Sequence, residues 1–136
     1  MKLATSSVKI KGANFEVGLN SQAMTDKPIE WIGAVKKALM DFPDDARRQT
    51  GFELRTIQQG DFPSDFKPMS TVGKGVEEIR IRTDDTYRVF YVARFEEAVY
   101  VLHAFQKKTQ KTSRSDIELG QQRYKQMLQQ RQDDSE

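Results

Sequence analysis

The chain has 136 residues, 37% of them hydrophobic and 31% charged, with a formal net charge of +2; this is the length of one domain and enough for a hydrophobic core. The absence of cysteine and the presence of a single histidine, His103, exclude disulfide frameworks, cysteine nucleophiles, and thiolate or multi-histidine metal sites. No apolar run approaches the ~20 residues of a membrane span and the N-terminus lacks a signal-peptide core, so no membrane partner and a cytoplasmic location are expected.

Residues 1–26 read as an N-terminal extension or leader. Within it "SVKIKGANFEV" suits a small hairpin turning at Gly12-Ala13-Asn14, "NSQAMTDKP" suits a linker, and Met24 is an alternative start. Residues 27–130 form the expected domain, and 131–136 an expected frayed tail. "PIEWI", Pro28 to Ile32, reads as a first strand. Ile32, Val35, Leu39 and Phe42 then recur at helical spacing as one apolar stripe. "DFPDD" breaks that helix. Asp41 or Phe42 is the expected cap of a second helix, with Pro43, Asp44 and Asp45 suited to its first turn. The second helix carries Ala46, Thr50, Leu54 and Ile57 on one side and stops near Gly60. So short a connection makes the two helices an antiparallel hairpin.

"DFPSDFKPMSTVGKG" is a loop by composition. Three runs rich in β-branched and aromatic residues follow: Val76–Arg82, Thr86–Phe95 and Ala98–Phe105. Their short connections predict an antiparallel meander. A cationic loop leads into a last helix, "RSDIELGQQRYKQMLQQ", with Ser115 as its expected cap and Ile117, Tyr124 and Leu128 as expected contacts. The predicted fold is α+β, in the order β-α-α-β-β-β-α: an antiparallel sheet packed against a two-helix hairpin, with a C-terminal helix.

Charge is unevenly placed. Lys67 to Arg114 carry ten Lys/Arg against six Asp/Glu, whereas residues 25–66 and 115–136 are net acidic. A basic strand region points to an anionic partner, of which nucleic acid is the commonest. On "EEIRIR" the pleat sets Glu78, Arg80 and Arg82 on one face and Ile79 and Ile81 on the other. Arg88 stands within cross-strand reach, and Lys107 and Lys108 close the last strand. Cations around one carboxylate suit metal-free RNA cleavage by the 2′-hydroxyl, which needs a base, an acid and charge on the phosphate. Glu78 is the expected base; Arg80, Arg88, and Lys107 or Lys108 are expected on the phosphate. The competing reading is a solvated sheet face with weak ion pairs. His103 shares its predicted face with Val101 and Phe105 and reads first as a satisfied sheet histidine. No GxSxG nucleophile elbow accompanies it, and Gly73-Lys74-Gly75 lacks phosphate-loop spacing.

Four stretches, "KPIEWIGAVKKALMDFPDDARRQTGFELR", "GKGVEEIRI", "DTYRVFYVARFEEAVYVLHAFQKKTQKT" and "DIELGQQRYKQML", closely resemble the phage-derived, HigB-like branch of the RelE/ParE toxin superfamily. The resemblance spans Lys27 to Leu128. It implies the toxin of a type II toxin–antitoxin module: a cofactor-free, metal-independent endoribonuclease that cuts mRNA on the ribosome. It implies a helix-turn-helix antitoxin as partner, with operator DNA reached only through the antitoxin complex. The basic positions of RelE-type toxins map onto Arg80, Arg88, and Lys107 or Lys108. Lys67, Arg82, His103, Lys111 and Arg114 join them as expected RNA-binding residues. Glu78 falls where RelE carries a lysine base, and Tyr124 is the only tyrosine of the C-terminal segment. Two alternatives follow from the same resemblance: a ParE-like toxin that binds DNA gyrase without nuclease chemistry, and a degenerate member that binds only its antitoxin.

Overall fold

A computed structural model describes residues 26–135, so the hairpin, linker and alternative start expected in the first 25 residues lie outside the described residues. Eight elements follow in chain order: β1 (Ile29–Trp31), α1 (Val35–Met40), α2 (Asp44–Gln58), β2 (Phe66–Pro68), β3 (Val76–Arg82), β4 (Thr86–Val92), β5 (Val99–Lys107) and α3 (Arg114–Ser135). The strands form one five-stranded sheet in the order β1-β5-β4-β3-β2.

The α+β class stands, but the expected order and the all-antiparallel sheet need correction. A short strand, β2, lies within the predicted loop and pairs antiparallel with β3. Three residues ending in proline give too short a periodic signal to read, and proline is tolerated there because the strand is at the sheet edge. The first strand, β1, runs parallel to β5, which makes the sheet mixed. The helix hairpin carries the chain from β1 to the far edge, and the meander brings β5 back beside it.

The central strands are buried on both faces, and the pleat sorts their side chains into two cores. Toward the hairpin, Val35, Leu39, Phe42, Ala46, Leu54 and Ile57 pack on Ile79, Ile81, Tyr87, Val89, Tyr91 and Val101. Toward α3, Phe90, Val92, Tyr100, Leu102 and Phe105 pack with Val72, Ile117, Tyr124 and Met127. Ile32 belongs to this second core, so the expected stripe from Ile32 to Phe42 divides: Ile32 continues the alternation of β1, and the helix begins only after Gly33. Gly33 has φ +62°, and the Arg123 guanidinium occupies the space a Cβ would need.

Three further details differ from the sequence reading. Pro43, rather than Asp41 or Phe42, takes the position before α2, with no side-chain cap. Ser113, rather than Ser115, caps α3, its Oγ accepting the Asp116 N–H at 3.2 Å. Finally, Met127 has no exposed surface, whereas Leu128 is 39% exposed.

The helix α3 continues beyond Arg131, the point from which fraying is expected, as far as Ser135. Arg131 lies 3.5 Å over the Phe95 ring and donates to Glu97, which also accepts from the Tyr100 hydroxyl at 2.7 Å. The hydrogen bond from Arg131 holds the Glu97 carboxyl down at about 2, and burial, with the bond to Glu97, pushes Tyr100 up to about 12 against the opposing Arg131 charge.

Replacing Met127 with Ala should cost about 2–5 kcal/mol in denaturant unfolding, and Leu128→Ala well under half as much. Equal losses would mean that α3 docks on a different face. Because the folded Glu97 carboxyl sits below its unfolded value, its contribution is complete above the ordinary carboxylate range and is lost as pH falls toward about 2. The stability gap between the wild type and Glu97→Gln should therefore be flat above about pH 5 and close on acidification; a gap independent of pH would exclude this coupling.

Candidate nucleic-acid interface

The face of the sheet that carries α3 is apolar under the helix and charged beyond it. Register explains the grouping. Lys67 of β2 stands opposite Glu78 of β3, and Arg80 opposite Arg88 of β4. Arg82 is opposite Thr86, which is in turn opposite Lys107 of β5. The even-numbered side chains of β3 thus share one face with Arg88, as the pleat predicts.

At this end of the sheet lies a concave pocket of about 380 Å³, lined by Arg82, Thr86, Arg88, Lys107, Lys108, Thr109 and Gln110. No acid lines it. Four of the expected site residues, Arg82, Arg88, Lys107 and Lys108, are therefore brought together. Lys107 Nζ donates to the Gln110 carbonyl at 2.6 Å, which folds the loop back over the strand end.

Beneath the cations is a buried ion pair. Glu78 is 0% and Arg88 7% exposed. Arg88 Nε lies 3.3 Å from Glu78 Oε1, and Lys67 Nζ lies 3.9 Å from the same oxygen. Charge rather than alignment holds these groups: neither Glu78 oxygen, nor Arg88 Nε or Nη1, has an aligned hydrogen-bond partner among the described residues. Burial raises the Glu78 carboxyl above its ordinary range, opposed by Arg88, Lys67, Lys107 and Arg80. Burial likewise lowers Arg88, with Glu78 opposing. Lys107 is lowered by burial first and then by Arg88.

Arg80 is held by Asp65, with Nη2 at 2.7 Å and Nε at 2.9 Å from Oδ1, and does not line the pocket. Arg82 Nε is 3.5 Å from the other Asp65 oxygen. His103 is buried, and its Nε2 lies 2.8 Å from Asp116 Oδ1 at the start of α3; burial lowers its proton affinity. A register shift at Phe90/Tyr91 leaves Leu102 unmatched in β5. Val101 therefore joins the hairpin core and Phe105 the α3 core, with His103 stacked on Phe105 at 4.7 Å. The shared face expected for Val101, His103 and Phe105 is corrected by this bulge. Lys111 lines a smaller neighbouring pocket of about 160 Å³ with Ser113 and Asp116. Arg114 is exposed beside Glu118. Tyr124 packs against Gly73 and donates to the Lys74 carbonyl at 2.9 Å.

Sequence reasoning missed Thr86, Thr109 and Gln110 in the pocket wall, and Asp65 as the counter-ion of Arg80. Only a pairing of β2 with β3 would have exposed Asp65. Among the described residues, no three His, Asp or Glu side chains group as metal ligands, and no helix is long and apolar enough to cross a membrane.

A family model for phage-derived protein Gp49-like (DUF891) matches residues 37–125, a stretch that contains every residue lining the larger pocket. The chain belongs to this Gp49-like family. The family falls within the RelE/HigB-like toxin superfamily, and its members are commonly toxins of toxin–antitoxin modules. No curated protein matches the chain.

Asp65→Ala should release Arg80 and Arg82 and tighten binding of a short single-stranded DNA a few-fold. It should also steepen the log–log salt dependence by about one unit. Unchanged affinity across a salt series would remove Asp65 as a brake on this surface.

Proposed function

We propose that this Gp49-like chain is the toxin of a type II toxin–antitoxin module and acts as a ribosome-dependent mRNA endoribonuclease. The observation that carries the reading is the acid-free pocket of Arg82, Arg88, Lys107 and Lys108 over a buried carboxylate. Arg88 and Arg82 suit the non-bridging phosphate oxygens, where guanidinium geometry matches the charge that develops as the 2′-hydroxyl attacks. A base must reach the proton it removes, and Glu78 has no exposed surface. Lys107 lines the pocket and has a depressed proton affinity. It therefore takes the proton-transfer role first expected of Glu78. The attack makes a cyclic phosphate and expels the 5′-oxygen, which takes up a proton from water as it leaves, while Lys107 returns its proton to solvent.

The same reading supplies the partners. A helix-turn-helix antitoxin would neutralise the protein, and the ribosome would present the mRNA. Lys67 and Lys111 border the pocket region and suit the flanking phosphates, while His103 acts through Asp116 on the fold.

Induction of the protein in cells, with primer extension on a highly translated message, tests this directly. Translation-dependent cuts within reading frames are expected. Arg88→Ala should reduce them by roughly a hundredfold or more while antitoxin binding persists, and Lys36→Ala, on the exposed side of α1, should leave them unchanged. Growth arrest with intact mRNA would instead favour gyrase, and an active Arg88→Ala would dismiss the pocket.

A further inference from the structure

Two glutamates are buried among the described residues, Glu53 and Glu78. Glu53 accepts the Ser64 N–H at 3.0 Å and so ties a loop. No such local task accounts for Glu78. A buried carboxylate without hydrogen bonds is costly, and an ion pair seldom repays that cost better than an apolar pair would. Its two charged contacts are both cations, Arg88 of the pocket wall and Lys67 of the neighbouring edge strand.

We propose that Glu78 is a positioning residue, whose buried carboxylate holds the Arg88 guanidinium in the pocket wall and balances the surrounding ammonium groups. This rests on reading the pocket as a phosphodiester site. Arg88 is held through Nε, and the same residue lines the pocket; Glu78 itself does not. A guanidinium fixed before the phosphate arrives needs no reorganisation when charge develops.

The charge balance follows from the elements packed together. Lys67 on β2, Arg80 on β3, Arg88 on β4 and Lys107 on β5 all act on Glu78. Asp65 takes up Arg80 and Arg82, which leaves Glu78 as the counter-charge of Arg88, Lys67 and Lys107. Lys107 feels Arg88 and Lys67 as repulsion and Glu78 as the only opposing attraction. Neutralising Glu78 therefore makes the Lys107 ammonium easier to deprotonate and frees Arg88 to wander, while adding no barrier to an incoming polyanion.

The test uses the full-length protein and two variants, Glu78→Gln and Glu78→Asp, with folding checked by circular dichroism. Lys107 is titrated by NMR through its side-chain carbon, binding is measured with an uncleavable 2′-O-methyl RNA, and cleavage is measured on programmed ribosomes. In Glu78→Gln the Lys107 midpoint should fall by about half a unit or more. Oligonucleotide affinity should hold or rise, and kcat should drop roughly tenfold or more with KM little changed. Glu78→Asp keeps the charge but withdraws it by one methylene. It should bind RNA normally, titrate near the wild type and cut at an intermediate rate. Should Glu78→Gln not fold, Glu78→Asp decides alone: loss of RNA binding along with cleavage would leave Glu78 a purely structural residue. An unmoved Lys107 midpoint, or wild-type cleavage in Glu78→Gln, would overturn the positioning role. If the wild type itself cuts nothing, the ribonuclease reading fails, and titration and RNA binding still judge Glu78 separately.

Discussion

Everything in this fold depends on β4 and β5 being buried from both sides. Six of the seven residues of β4 and the first seven of β5 are withdrawn from solvent. Such strands need a layer on each face, because apolar surface left in water forgoes the main driving force of folding. The helix hairpin covers one face completely enough that its core includes residues from all three long strands. The single helix α3 covers the other face only in part. Where its cover stops, the outward residues change from Phe90 and Phe105 to Arg88 and Lys107, and the candidate site is what the incomplete second layer leaves open.

That boundary creates an electrostatic problem. Arg88 lies close enough to the covered region to be buried, yet close enough to the rim to line the pocket. A buried guanidinium cannot shed its proton and must find negative charge. Glu78 supplies it from the neighbouring strand, one pleat away in register. Asp65 performs the corresponding service for Arg80 at the sheet margin. The result is a graded surface: arginines near Asp65 are largely compensated, whereas Lys107 and Lys108 have no acid beside them in the pocket wall.

Much of this was legible in the residues. The strong β-branched and aromatic runs located β3 to its terminal residues, and alternation along it correctly separated Ile79 and Ile81 from Glu78, Arg80 and Arg82. The grouping of Arg82, Arg88, Lys107 and Lys108 follows from a meander with short turns. What failed were features that depend on distant partners. The pairing of β2, and with it the capture of Arg80 by Asp65, has no periodic signal. The bulge at Leu102 reverses the face of half a strand and leaves no compositional mark. Burial of Glu78 was equally unreadable, since a charged residue on a half-polar strand is ordinarily solvated. The choice of Met127 over Leu128 reflects helix phase, set here by contacts with Phe90 and Val72 across Gly120 rather than by the sequence of α3 itself.

The Arg123 side chain joins elements that are distant along the chain. Its Nη1 donates to the Leu102 carbonyl at 2.9 Å and to the Ile32 carbonyl at 3.3 Å. One guanidinium thus rivets α3 to the bulge of β5 and to the end of β1. With His103 and Asp116 pinning the start of the same helix and Arg131 its end, α3 behaves mechanically as a bar clamped at three points. The loop from Lys108 to Ser113 is strung between β5 and the first of those clamps, like a short cable between fixed posts. The bonds from Lys107 to the Gln110 carbonyl and from Thr109 to the Lys111 carbonyl brace that cable along its length. Changes at Arg123, which does not line the pocket, would loosen one of the three clamps and leave the residues of the pocket wall themselves intact.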